Sequence, residues 1–537
     1  MRLKLKIIAV LFFILTFVFI FLLWPLNSSE FTIEFNQEAL AQKKAFLNEK
    51  PDTIQENRPN ILLITADDLS VADVSIYKEG TVKTPHIEKL GNEGVIFENA
   101  YVTSPICSPS RAAIFTGRYP QRYGFHFQMH DRYLKNRLEY IGFKYFMDSY
   151  PWIAKWMPAV PDEDAIEKQG LPPTEISLAE LLKKYNYKTG LVGKWHLGSA
   201  DNNTPCAFGF DEQYGFMASH SLYAHEGTSG IIDQKIEDDW TDQFIWAGQR
   251  NGPHAIYKNC EKIEEHGYLT DRITEESIAF INAEREEPFF LWVSYNAPHT
   301  PLQAPEAYVE KYKHITDPIR RVHVAMINSL DDAIGKLLSH LDALGLDENT
   351  IIFFLSDNGG AEYNLTTDNG PYFGGKTTDF EGGLKVPMII KWKNRLEQGI
   401  RYKPMVSSLD VFATSSAAAG AEIFSEKPID GANLIPFLTD STGAYPHEYL
   451  FWQRGFSKAL RTNNWKFILN EEAADTLLYD ISSDPYEINN LSSSHKIVKQ
   501  ELIDAHREWS DKNSNPLWPS MIYYYCNKDG KAYYFDQ

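Results

Sequence analysis

The sequence predicts an α/β protein, a sheet whose strands alternate with helices, followed by a smaller antiparallel unit. Three observations carry that expectation. Apolar runs of strand length recur, each stopping abruptly at polar residues and turn formers. Helix-like segments lie between them. After about residue 445 the pattern changes to short strands paired across tight turns.

The chain opens with MRLKLKIIAVLFFILTFVFIFLLWPLNSSE, where Arg2, Lys4 and Lys6 precede an apolar run from Ile7 to Trp24. That arrangement is an export signal, with a length on the border between a cleaved peptide and a spanning helix. No A-x-A-like site follows and no Cys is set for a lipid anchor. Residues 1–28 are therefore expected to be a signal peptide or signal anchor, the balance lying with an anchor through residues 7–26. Residues 29–57 are polar and rich in Gln, Glu and Lys, and are expected to be a spacer. Export permits disulfides, but Cys206, Cys260 and Cys526 are too scattered for a framework; at most one bridge forms among them if Cys107 is used otherwise.

From Asn60 the strand-like runs are ILLITADD (61–68), TGLVGKWHLG (189–198), PFFLWVSYNAPHTP (288–301) and IIFFLSDNGG (351–360). The intervening helices are expected at SLAELLKKY (177–185), TDRITEESIAFINAE (270–284) and VAMINSLDDAIGKLLSHLDAL (324–344). In such sheets ligands gather at the carboxyl ends of strands. These strand ends offer Asp67 and Asp68, Lys194 and His196, His299, and Asp357 with Asn358. Residues 58–444 are expected to form the catalytic domain and 445–537 a C-terminal subdomain. In the latter, SKALRTNNWKFIL reads as a hairpin turning at 462–464, LLYDISSDPYEINNLS as a strand and turn, and HKIVKQELIDAHREW as an amphipathic helix. MIYYYCNKDGKAYYF reads as a last hairpin around Asn527–Gly530.

Asp67, Asp68, Asp357 and Asn358 supply only oxygen donors, which suit a hard divalent cation, although a helix cap and a turn use the same residues. CSPSRAAIFTGRYPQR (107–122) places Cys107 just ahead of a helix, with Ser108 as N-cap and Pro109 in the first turn. A helix N-terminus and Arg111 favour an anion there; on the residues alone, an activated thiolate and a buried small side chain both remain open. A formal net charge of -20 argues against nucleic-acid binding, which needs a basic surface, while local cations still admit an anionic substrate.

CSPSRAAIFTGR resembles the C-x-P-S-R…T-G-R signature of the formylglycine-dependent sulfatases, in the alkaline phosphatase superfamily. GKWHLG (193–198), NAPHTP around His299, SDNGG, GGKTTDFEGGLKVP (374–387) and the late LYDISSDPYEINNL follow in similar order, from about Asn60 to Leu491. Lys385 stands where many members carry Arg. The resemblance implies a large mixed sheet sandwiched by helices, alkaline phosphatase-like, and an exported enzyme that hydrolyses sulfate monoesters. It implies that a maturation enzyme oxidises Cys107 to formylglycine. The hydrate of that residue would be the nucleophile, a sulfo-enzyme would form, and the second hydroxyl would expel sulfate. It implies one Ca²⁺ on Asp67, Asp68, Asp357 and Asn358, and neutralisation of sulfate oxygens by Arg111, Lys194 and Lys376. His196 would be the base that clears the intermediate, and His299 with Lys376 would face the leaving oxygen as general acid.

For substrate, the stretch Phe125–Trp156 interleaves aromatics with cations including His126, His130 and Arg132. Stacking and charge pairing there suit a sulfated sugar; helix packing and an interfacial segment lying on a membrane are competing readings. Trp452 and Arg454 are further candidates for a pocket wall. The leading reading is an exported sulfatase acting on sulfated carbohydrate, whether periplasmic, secreted or membrane-anchored. The rivals are an aryl or steroid sulfatase, a phosphonate or phosphodiester hydrolase of the same superfamily, and a non-catalytic tethered binding protein that keeps Cys107 unmodified.

Overall fold

The computed structural model describes residues 2–28, 31, 33–80, 82–147, 149–283, 286–439 and 444–537. The expected helix end at Glu284 and residues 29, 30 and 32 of the expected spacer lie outside the described residues. The helices that frame the site are α1 (Arg2–Leu23), α2 (Gln37–Asn48), α3 (Cys107–Thr116), α4 (Arg137–Tyr145), α5 (Leu178–Lys184), α6 (Leu269–Asn282), α7 (Pro318–Ala343) and α8 (Lys496–Ser510).

The four apolar runs are strands: β1 (Asn60–Asp67), β2 (Lys188–Lys194), β3 (Phe289–Pro298) and β4 (Thr350–Ser356). They lie side by side in the order β2-β3-β1-β4, every neighbour parallel, so their carboxyl ends share one edge. Near-continuous apolarity follows from burial on both faces. Leu62, Ile64, Leu291 and Val293 pack into the core that α6 and α7 supply. Ile61, Leu63, Phe290 and Trp292 point the other way, into the core of α3 and α5. Truncating one such side chain, Trp292→Ala for example, costs about 3–5 kcal/mol.

Beyond β4 the strand β5 (Met388–Trp392) runs antiparallel, which makes the sheet mixed; among the described residues it has ten strands. A four-stranded antiparallel sheet (450–454, 457–461, 465–470, 475–480) follows, with α8 packed on it. The hairpin of Ile522–Lys528 and Lys531–Asp536 pairs instead with Trp152–Ala154.

One expectation changes. Residues 37–48 are a docked helix and not a spacer. Lys43 of α2 is buried, pairs with Glu180 at 2.7 Å and donates to the Glu175 carbonyl at 2.6 Å, while Phe46 stacks on Phe424. The same Glu180 closes a capping box with Ser177 at the start of α5, so one carboxylate ties two helices together. Polar composition concealed this because the buried contacts are made by a Lys and a single aromatic. Of the three scattered cysteines, Cys206 and Cys260 form a disulfide, and Cys526 is free and half-buried.

Candidate active site

The shared carboxyl edge gathers the predicted polar residues. Asp67 ends β1 and Asp68 follows with φ 65°; His196 follows β2 with φ 58°; Thr377, next to Lys376, has φ 83°. Three non-glycine residues in the left-handed region at one site are backbone held against its preference, which the packed surroundings must enforce. At Gly193, φ 119°, a side chain would meet the Ser294 carbonyl at 1.9 Å, so only glycine lets β2 approach β3 this closely. A register shift between Ser294 and Pro298 sets Pro298 opposite Asp67 and delivers His299 to the carboxylates.

Helix α3 begins at Cys107, with Ile106 and not Ser108 in the cap position, because the Ser108 hydroxyl is engaged with Gln128 at 3.1 Å. Cys107 Sγ lies 3.5 Å from Asp67 Oδ1 and 4.0 Å from Asp68 Oδ1. Burial pushes the thiol well up, against the pull of Lys194 and Lys376, so the unmodified cysteine is a thiol and not the activated thiolate its helix position suggests.

Charges pair in register. Lys194 Nζ donates to Asp67 Oδ2 at 2.7 Å with both side chains fully buried, and Lys376 Nζ donates to Asp68 Oδ2 at 2.9 Å. Burial alone would push the Asp68 carboxyl up; Lys376 and His299 bring it down to about 2. Asp357 is pushed up to about 6 by burial and by Asp67, even with Arg111 3.0 Å away. Arg111 also donates to the Trp195 carbonyl at 3.1 Å, to the Lys194 carbonyl at 2.5 Å and to Ser294, with its guanidinium over Trp292. Through these contacts it ties β2, β3 and β4 together.

The donor set fits a hard cation. Asn358 Nδ2 donates to Asp68 Oδ1 at 2.7 Å, whereas the buried Asn358 Oδ1 has no partner, and Asp357 remains uncompensated enough to hold its proton near pH 6. The ligand atoms of Asp67, Asp68, Cys107 and His299 also lie within 4.8 Å of one another. The sulfur and imidazole in that closer group sit on the far side of the chemistry a hard cation prefers, which favours the oxygen donors.

His299 Nδ1 donates to the Thr300 carbonyl at 2.6 Å, which turns Nε2 towards Asp68. Burial and the nearby Lys376 bring this imidazole down to about 3. His196 is held well below its ordinary value by burial and Lys194; its Nε2 meets the Gln128 side chain at 3.2 Å and its Nδ1 has no partner.

The candidate sugar-binding residues fare differently. Trp452 is buried against Tyr101 and donates to the Val102 carbonyl at 2.7 Å. Arg454 is buried, pairs with Asp379 and donates to the Thr377 carbonyl at 2.7 Å. Neither lines a pocket wall; Arg454 instead braces the loop that carries Lys376. His126 is spent on the Ser514 carbonyl and is brought down to about 4 by burial, and His130 is half-buried beside Tyr133. Only Arg132 is exposed, 3.8 Å from Glu139.

Three residues were missed. Gln128 bridges Ser108 and His196, Ser294 receives Arg111, and His220 is buried with Nε2 unpartnered, its imidazole held well below its ordinary value by burial and by the neighbouring His254. The signal for His220 was present: Glu212–Phe216 is another parallel strand, next to β2, and ASHS follows it.

Residues 59–421 match the family described as Sulfatase, and residues 372–510 match N-sulphoglucosamine sulphohydrolase, C-terminal. The chain belongs to the sulfatase family. It is a sulfuric ester hydrolase with the fold and strand-end site just described. The sulfatase is 33% identical to human N-acetylgalactosamine-6-sulfatase over 402 residues, 74% of this chain and 68% of that protein. It is 28% identical to human steryl-sulfatase, over 86% of this chain and 89% of that protein. Among solved structures it is similar to Ps i-CgsB in complex with k-i-k-neocarrahexaose: TM-score 0.72, 31% identity, 86% of this chain and 94% of that one.

Proposed function

We propose that this sulfatase is exported, is matured at Cys107 to formylglycine, and removes sulfate from a sulfated carbohydrate. The observation that carries the reading is the position of Cys107 at the head of α3, between the Asp67–Lys194 and Asp68–Lys376 pairs. The sugar assignment is supported by two relatives above 30% identity, N-acetylgalactosamine-6-sulfatase and a structure that holds a neocarrahexaose.

In this reading the matured residue supplies a geminal diol, one hydroxyl to attack sulfur and the other to release sulfate afterwards. Asp67, Asp68, Asp357 and Asn358 hold one Ca²⁺, which supplies a fixed positive charge against the ester oxygens. Lys194 and Lys376 neutralise charge that develops on the sulfuryl group. The Gln128 amide nitrogen faces His196 Nε2 and its oxygen accepts from Ser108; with the two amide atoms exchanged and Ser108 Oγ accepting instead, His196 carries its proton on Nε2 and presents Nδ1 as the atom that takes one. His299, neutral in the free site, gains its proton at Nε2 as the anionic ester enters, and gives it to the departing oxygen.

Desulfation is tested with a panel of sulfated oligosaccharides, aryl and steroid sulfates and a matched aryl phosphodiester. Turnover on a sulfated sugar far above the others is expected. A preference for steroid sulfate or phosphodiester would overturn the carbohydrate assignment. Mass spectrometry of the Cys107 peptide from a host with a maturation enzyme is expected to show the aldehyde; fully active protein carrying only free thiol would refute the maturation step.

The segment Lys4–Leu23 has mean hydropathy 2.9 and is long enough to cross a bilayer. We assign it as a retained anchor, with its amino-terminal lysines on the cytoplasmic side and the catalytic domain outside.

A further inference from the structure

The segment after the catalytic helix carries the largest aromatic exposure outside α1. Phe146 is 84% exposed, Tyr150 68% and Tyr145 66%, with Met147 and Trp156 also exposed beside them. Four large apolar side chains between positions 145 and 150 exceed the scatter of single exposed hydrophobes on a soluble surface. The cations Arg137 and Lys144 flank them, and the only acid in α4, Glu139, is tied to Arg132.

Their place is set by α1. Helix α4 packs against α1, and the Arg137 guanidinium lies 4.3 Å from the centroid of the Phe21 ring. The chain leaving α1 is bonded into the same segment: Leu26 N donates to the Lys135 carbonyl at 2.9 Å, Pro25 bridges to Asn136, and Asn27–Ser28 pairs with Ala159–Val160. Phe21 is within the last turn of α1, so Arg137 stands at the depth where the span ends. A helix of this length crosses about 30 Å, the thickness of the hydrocarbon core, which puts its last turn at the headgroup boundary.

We infer that residues 137–147 and 149–156 form a second membrane contact, an aromatic and basic collar that lies in the outer interface of the bilayer beside α1. This rests on the anchor reading of α1. At that depth the Arg137 guanidinium stacks on Phe21 and meets the headgroups from there. Tyr140, Tyr145, Tyr150 and Trp156 are the residue types that favour the interface, with Phe146 and Met147 reaching into the acyl boundary. The collar is joined to the catalytic domain through aromatic contacts, Phe143 with Trp240 at 5.1 Å and Trp152 with Tyr363 at 5.0 Å. The collar therefore fixes how the catalytic domain stands on the membrane.

The test uses the full chain in phosphatidylcholine–phosphatidylglycerol proteoliposomes, with a nitroxide label at one position at a time in a Cys526→Ser background. The labelled variants are Phe12→Cys in α1, Phe146→Cys in the collar and Ile497→Cys on the exposed face of α8. Collision with oxygen reports lipid, and collision with a nickel chelate reports water. Relative to position 497, position 146 is expected to gain oxygen access and lose nickel access, as position 12 does. Lipid at 12 with water at 146 would overturn the collar while leaving the anchor intact, and would free that face for a sugar. Water at both positions would overturn the anchor and the collar with it.

Discussion

His299 Nε2 lies 3.7 Å from Asp68 Oδ2, the same oxygen that accepts from Lys376 at 2.9 Å. An imidazole and a fixed cation thus share one carboxylate at the point where β3 delivers His299 to β1. The importance of the donor depends on the leaving group: a sugar alkoxide needs a proton as the S–O bond breaks, and a nitrophenolate does not. His299→Ala is expected to lose about 10²- to 10⁴-fold in kcat/KM on a sulfated sugar and much less on an activated aryl sulfate. Equal losses on both substrates would reassign His299 to sulfate binding.

Removal of the cation is expected to lower stability as well as turnover, because Asp67, Asp68 and Asp357 would repel one another and Asn358 Oδ1 would lose its partner. A ligand held at 100 times its Kd contributes about 2.7 kcal/mol, which for a chain of this size is roughly 2–3 °C in Tm. Calorimetry after chelation, then after adding back Ca²⁺ or Mg²⁺, checks both the shift and the preferred ion. An unchanged melting curve would count against the site.

The Cys206–Cys260 bridge spans a sequence separation of 54 residues. On the chain-entropy account a loop of that size is worth about 4 kcal/mol. The Cys206→Ser, Cys260→Ser double variant is expected to lose up to that much stability and to keep its kcat, since neither cysteine touches the strand-end site. Urea unfolding of both forms measures the difference.

A pH dependence away from the site comes from His447, which meets the buried Asp410 carboxylate at 2.7 Å. Burial would lower this imidazole, but Asp410 raises it above its ordinary value. A raised folded value contributes stability that is fully present below the unfolded value of about 6.5 and is lost as pH rises through the folded one. His447→Gln is therefore expected to cost more stability at pH 6 than at pH 9. A cost that does not vary with pH would mean that the histidine is neutral throughout.

Much of this was legible in the sequence because the determinants are local. An apolar run closed by Asp-Asp, Asp-Asn or Lys-Trp-His is readable by eye, and parallel neighbours put all of those closures on one edge. What was illegible depends on contacts between distant segments. Trp452 and Arg454 look like pocket residues in a polar strand, yet burial against Tyr101 and Asp379 decides otherwise. Lys43 looks solvent-bound until Glu180 is brought beside it. Arg111 reads as a forked cation at a helix start, and only the folded chain shows it also tied to the Trp195 and Lys194 carbonyls.

The pairing of Ile522–Tyr524 with Trp152–Ala154 sets a schedule for synthesis. Those partners are separated by 522 − 154 = 368 residues, which a ribosome adds in roughly 20–70 s at about 5–20 residues per second. Cys107 is translated earlier still. For that interval the strand Trp152–Ala154 has no partner strand, and the aromatic cluster that Trp152 forms with Tyr363 and Tyr524 is incomplete. The segment around Trp152 is thus among the last parts of the fold to close, tens of seconds after Cys107 has left the ribosome.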